Sequence, residues 1–148
     1  MASNIHHFPS FSVVEGDIKV DVNLSRFEKQ FQEAQFKLDS QVMTDMVPYM
    51  PHNTGTFVNL TRAQSVALAG SGVVCAGAPP MGRFLYGGKV MVDPETGSPW
   101  ARPGVKKVVT ERDLTYSNPM ATPHWFDTAK ANHGKAWVDE VKKIAGGG

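Results

Sequence analysis

The stretch LSRFEKQFQEAQFKLDSQVMTDM, residues 24–46, decides the fold. Leu24, Phe27, Phe31, Ala34, Leu38, Val42 and Met46 recur at spacings of three and four. On a helix these positions line up as one apolar stripe. Ser25 and Glu28 stand at capping-box spacing at its start. Pro48 marks its end, because the residue before a proline disfavours the helical region. The spacing predicts a helix of roughly 20 residues, about 30 Å at about 1.5 Å per residue. A helix this long must lie on something, and the flanking sequence says what is available.

Upstream, Phe11 and Val13, then Ile18, Val20 and Val22, alternate with polar residues around Glu15-Gly16-Asp17. This pattern predicts a strand or small hairpin turning at Gly16. Downstream, Pro48-Tyr49-Met50-Pro51-His52-Asn53-Thr54-Gly55 reads as a sharp loop. Residues 57–60 read as a strand, and residues 63–69 as a second strand or a helical turn. Gly70-Ser71-Gly72 makes a turn before an expected buried strand over residues 73–76. Residues 81–88 read as a helical turn. From Lys89 the alternation is that of a hairpin, with a loop over residues 94–104 and a return strand over residues 105–110. A terminal helix follows, with Thr122 as the expected N-cap and Pro123 at its first position. Phe126, Ala129, His133, Trp137, Val141 and Ile144 mark its inner face, and Asp139 and Lys143 form an expected i, i+4 pair outside.

Helices therefore stand at the two ends of a run of strands instead of alternating with them. That order predicts an α+β fold: an antiparallel β-sheet, a long helix from the N-terminal half packed on it, a protruding β-hairpin and a C-terminal helix. The expected organisation is a flexible tail over residues 1–10, one domain over residues 11–145 and a frayed glycine tail over residues 146–148.

The 148 residues are 41% apolar and 20% charged, enough for one modest core. Fifteen basic and 14 acidic residues leave a formal charge of +1, which argues against strong steering toward nucleic acid or an anionic membrane. The single cysteine, Cys75, excludes a disulfide within the chain and reads as a small buried residue. No apolar run approaches the roughly 20 residues that cross a bilayer, and the first ten residues do not resemble a secretory signal. A soluble protein made inside the cell is the expectation, so the sequons at Asn23 and Asn59 carry no weight.

Motifs for chemistry fail one by one. Gly70-Ser71-Gly72 resembles the start of a dinucleotide fingerprint, but Cys75 occupies the third glycine position. Gly87-Gly88-Lys89 lacks the upstream glycine of a phosphate loop, and Val90 replaces its hydroxyl residue. The histidines at 6, 7, 52, 124 and 133 do not have metal-ligand spacing. No serine sits in a nucleophile elbow, and Glu95, Glu111 and Asp113 read as solvated acids near turns. No catalytic residue, cofactor or metal is expected. Arg62, Arg102, Lys106, Lys107 and Arg112 would make a basic patch, but Lys106 and Lys107 read better as charges guarding an exposed strand edge. Trp125 and Trp137 read as core. Trp100, in a Pro-rich loop, reads as a loop anchor or as a contact between subunits, where aromatic residues and arginine are enriched.

Three segments carry a family resemblance. Pro48-Tyr49-Met50-Pro51-His52-Asn53-Thr54-Gly55-Thr56-Phe57 resembles the "Pro then Asn/Asp-Thr-Gly, then apolar" loop after the first helix of the minor capsid and tail-completion (neck) proteins of long-tailed bacteriophages. Arg83-Phe84-Leu85-Tyr86-Gly87-Gly88-Lys89-Val90 is similar to that family's "Arg-x-x-Tyr-x-Gly-Lys-Val" stretch, although Met81-Gly82 stands where the family often has Tyr-Ala. His124-Trp125-Phe126-Asp127-Thr128-Ala129-Lys130-Ala131, with Trp137 beyond, resembles its C-terminal "Trp-Phe-x-x-Ala-Lys" helix. The three occur in family order over roughly residues 25 to 144.

The resemblance implies a virion protein of the head–tail connector: a homo-oligomeric ring, expected as a hexamer, between the head-closure proteins and the tail terminator and tail tube. Such a ring meets DNA only as it passes through the channel, and no membrane. Thr54, Gly55, Arg83, Tyr86, Gly88, Trp125 and Trp137 carry over as structural positions only. Trp100, Arg102, Lys106 and Lys107 are the expected interface residues. The rival readings are a head-closure (stopper-type) neck protein, a small hydrolase with a dispersed triad around His52 or His124, and a DNA-contacting module using Lys106, Lys107 and Arg112.

Overall fold

The computed structural model describes residues 9–52, 55–76 and 81–146. Thr54, most of the expected N-terminal tail, and Gly147 and Gly148 of the glycine tail lie outside the described residues.

The stripe over residues 24–46 folds as α1, Ser25–Met46. Ala34, Asp39, Val42 and Met46 are its buried positions. Ser25 is the first helical residue and not a cap; its N–H donates to Asn23 Oδ1 at 2.9 Å. After Met46 the chain tightens into a 3-10 turn, Val47–Tyr49, that holds Pro48. Pro48 has no N–H to continue the α-helical ladder, so the helix ends here.

The C-terminal helix, α4, spans Trp125–Ala145 and buries Trp125, Ala129 and Trp137. It is the most extensive partner of α1. Trp137 Nε1 donates to Asp45 Oδ2 at 2.7 Å, while Leu38 and Val141 meet across the same seam. The two helices therefore run antiparallel. Beyond Val141, α4 has four residues left (141 to 145), whereas α1 has thirteen before Leu38 (38 to 25). The first turns of α1 thus project past α4 by about 13 Å at about 1.5 Å per residue. Phe27, on the expected stripe, is consequently exposed.

Three expectations about α4 are corrected. It starts at Trp125, not at Pro123. The N–H of Thr122 donates to Tyr49 O at 3.1 Å and that of His124 to Tyr86 O at 2.9 Å, which holds residues 122–124 out of the helix. His124 takes a left-handed φ of 52°, and the Thr122 hydroxyl pairs with that of Thr128 instead of capping. Lys143 pairs with Glu140 at 3.6 Å instead of with Asp139. Phe126 is also more exposed than the inner-face reading expects; Trp125 takes the core position.

The strand expected over residues 57–60 and the strand or helical turn expected over residues 63–69 are one helix, α2, Thr56–Leu68. Its buried positions, Phe57, Val58, Thr61 and Ser65, follow helical spacing, but two of the four are polar and hide the period. Gly55 precedes it with φ 77°. The strand expected over residues 73–76 is an irregular segment in the structure. Ser65 Oγ donates to Cys75 O at 3.0 Å, satisfying backbone that a ladder would otherwise serve, and Cys75 is half-buried. A buried Asp39 carboxylate ties these parts to α1, accepting from the N–H groups of Gly70 (2.8 Å) and Gly72 (2.9 Å).

Strand pairing is antiparallel throughout the described residues, so the class is α+β. It takes the form of two separate hairpins. The first joins β1, Phe11–Glu15, to β2, Ile18–Val22, across Gly16 at φ 59°. After a helical turn, α3, Met81–Gly87, the second joins β3, Lys89–Val92, to β4, Val108–Asp113. The return strand thus begins three residues later than expected, because the intervening loop carries its own order. The core gathers Val42, Met46, Met50, Phe57, Trp125 and Trp137 where the end of α1 meets α2 and the start of α4.

Candidate assembly surface

The β3–β4 hairpin and its loop are built around one carboxylate. Asp93 closes β3 in an Asp-Pro-Glu-Thr-Gly turn and is fully buried. Its Oδ1 accepts from the N–H groups of Glu95 (2.9 Å) and Thr96 (3.3 Å), and its Oδ2 from Arg102 N–H (3.3 Å). The Arg102 guanidinium adds a fork, Nε to Oδ2 at 2.9 Å and Nη2 to Oδ1 at 3.2 Å, and its Nη1 reaches Glu95 at 2.6 Å. The Arg102 guanidinium and these backbone N–H donors hold the Asp93 carboxyl well below the usual carboxylate range.

This network fixes a loop that presents Trp100 to solvent at 84% exposure. The Trp100 N–H donates to Ser98 Oγ at 3.1 Å, so the indole is held outward by ordered backbone. Of the expected interface residues, Trp100 therefore sits at the tip of the loop, while Arg102 is committed to Asp93 and Glu95 and holds the loop in shape.

Beside the loop lies an open apolar groove of about 920 Å³. Its floor is formed by Phe84, Leu85, Val90, Met91 and Leu114, and its cations are Arg83, Lys89, Lys106 and Lys107. No acidic side chain lines it. Lys89 Nζ pairs with Asp113 at 2.6 Å, which raises the lysine pKa. The Arg83 guanidinium stands 4.7 Å over the Phe84 ring. Lys106 and Lys107 are exposed just before β4.

Two motif positions support the groove from behind. Gly88 has φ 71°, and a Cβ there would lie 2.5 Å from Pro123 Cβ. Tyr86 meets Trp125 edge-on at 4.8 Å, and its hydroxyl donates to Asp127 at 3.3 Å. Burial and the Asp127 charge push the Tyr86 hydroxyl pKa up. Trp125 and Trp137 are core, 1% and 6% exposed.

The N-terminal hairpin is the second surface. Its register places Phe11 opposite Val22, Val13 opposite Val20 and Glu15 opposite Ile18 on one face. The apolar side chains of that face stay in solvent: Phe11, Val13, Ile18 and Val20 are 54%, 50%, 69% and 49% exposed. The opposite face carries Ser12, Asp21 and Lys19 with Val14.

The histidines weighed for catalysis have the following neighbours. His133 Nε2 contacts Tyr49 OH at 3.3 Å, and His124 stands 3.6 Å from Asp127 on the surface. Only the backbone oxygen of His52 meets a serine, Ser117 at 3.4 Å. Among the described residues, no three His, Cys, Asp or Glu side chains are grouped as metal ligands, and no helix is long and apolar enough to cross a membrane.

Sequence reasoning singled out Trp100, Lys106 and Lys107 but missed Asp93 as the organiser and the hairpin face as a surface. The Asp-Pro-x-x-Gly turn was the available signal for the first. For the second it was the apolar alternation beside a long helix that takes its cover from another helix. No family model, curated protein or solved structure matches this chain.

Proposed function

We propose that this chain is a structural protein of the head–tail connector of a long-tailed bacteriophage, assembling as a ring through its β-hairpins and the Trp100 loop. One observation carries the assembly reading: apolar surface is displayed on ordered elements at two places, the N-terminal hairpin face and the Trp100 loop with its groove. Exposed patches of this kind, rimmed by charge, mark protein contacts. The three motifs of the neck family, in order along the chain, supply the setting. The groove lining holds no histidine, serine or acid, which favours binding over hydrolysis as its use. A head-closure role uses the same surfaces and differs only in the ring above and below.

The test is reconstitution of purified chain with heads and tails that lack it. The wild type should co-sediment with one of them. Trp100→Ala should leave the melting transition of the free chain within about 0.5 kcal/mol, because the side chain is exposed. It should weaken incorporation by about 2 kcal/mol or more, as loss of an interface anchor does. Equal loss of stability and incorporation places Trp100 in the fold and removes it from the interface. A wild-type chain that joins neither heads nor tails and stays monomeric removes the neck reading.

A further inference from the structure

We infer that the ring contact is a head-to-tail one: the β1–β2 hairpin of one copy seats its apolar face in the β3–β4 groove of the next copy. The inference rests on the assembly reading above and names the two surfaces that meet.

The two surfaces complement each other in three ways. The hairpin offers Phe11, Val13, Ile18 and Val20 on one face, unpacked in the single chain. The groove offers a floor of Phe84, Leu85, Val90 and Met91, half-buried side chains whose remaining apolar surface faces the groove. A two-stranded hairpin is marginal by itself in water and needs a partner for its apolar face.

The charges are opposite. The hairpin carries Glu15 and Asp17 at its turn and Asp21 on its polar face, against one lysine, Lys19, which pairs with Asp21 at 3.1 Å. The groove carries Arg83, Lys106 and Lys107, with Lys89 paired to Asp113 at 2.6 Å, and no acid lines it. A near-neutral chain has thus separated its charge into an acidic donor and a basic acceptor, an arrangement that sets register between copies.

The placement suits a chain of copies. The hairpin joins the first residue of α1 through Asn23 and Leu24, at the end of the helix that projects past α4. The groove lies at the other end, where Tyr86 and Gly88 pack on Trp125 and Pro123. Donor and acceptor at opposite ends of one protomer cannot satisfy each other within it. Repeated between copies they make a heterologous interface, which closes as a ring when the rotation allows.

The experiment uses the full chain with Cys75→Ser, and with Asp17→Cys in the hairpin and Lys107→Cys at the groove. Under mild oxidation, the concentrated free protein, or particles that carry it, should yield a ladder of disulfide-linked dimers, trimers and larger species. Either single-cysteine variant should stop at dimers or stay monomeric. Charge reversal supplies an independent readout. Glu15→Lys with Asp17→Lys should weaken self-association or incorporation roughly tenfold or more, and adding Lys106→Glu with Lys107→Glu should restore it.

A double-cysteine chain that forms no ladder in either setting, or closes its bond within one chain, overturns the contact. So does a charge reversal without rescue. Incorporation into the connector without the hairpin–groove bond overturns this contact alone and leaves the assembly role standing. A ladder from a chain that joins neither heads nor tails keeps the contact and removes the neck assignment.

Discussion

At the scale of the residue, the Trp100 loop depends on Asp93. Five hydrogen bonds converge on its carboxylate from Arg102 and from backbone N–H groups. Its pKa is depressed in the fold, so the stability it contributes is fully present above the unfolded value of about 3.9 and lost as pH falls toward the folded one. Protection of the loop amides, measured relative to their intrinsic exchange rate, should therefore fall below about pH 4 before that of α1 and α4. Asp93→Asn should make the loop exchange fast already at neutral pH, with little further pH dependence from this site. Gly88 is a backbone requirement: φ 71° strains any other residue, and a new Cβ would collide with Pro123. Gly88→Ala should lower the denaturant midpoint by an amount worth roughly 2 kcal/mol or more. Neither role was fully legible in the sequence. Asp93 was not singled out there, and only the fold brings Arg102 back onto it. Trp100 could be singled out because a tryptophan in a Pro-rich loop has no core to enter.

At the scale of the element, α1 and α4 were legible because their apolar residues repeat with the helical period. Helix α2 was not, since Thr61 and Ser65 take buried positions that the pattern reads as polar. The start of α4 moved because hydrogen bonds to Tyr49 and Tyr86, both distant in sequence, outweigh a favourable local cap. The β1–β2 hairpin was legible as strands, but nothing local shows that its apolar face has no cover. In the free chain its amides should exchange far faster than those of α1 residues 34–46, which pack in the core. In assemblies the same amides should become protected. Slow exchange in the free chain would mean that the hairpin is already covered there, contrary to its role as a docking element.

At the scale of the whole molecule, α1 separates two complementary surfaces. One end holds an acidic, apolar hairpin, and the other a basic, apolar groove beside an exposed tryptophan. The α+β class was legible in the order of elements; the spatial separation was not, because it depends on how far α1 overruns α4. Such a protomer is suited to making copies meet, and the phage neck is the setting proposed for that meeting. The most direct test is electron microscopy of phage particles made without this chain and then supplied with it. Filled heads and separate tails should accumulate in its absence and join when the purified protein is added. Fully joined, infectious particles formed without it would contradict the account.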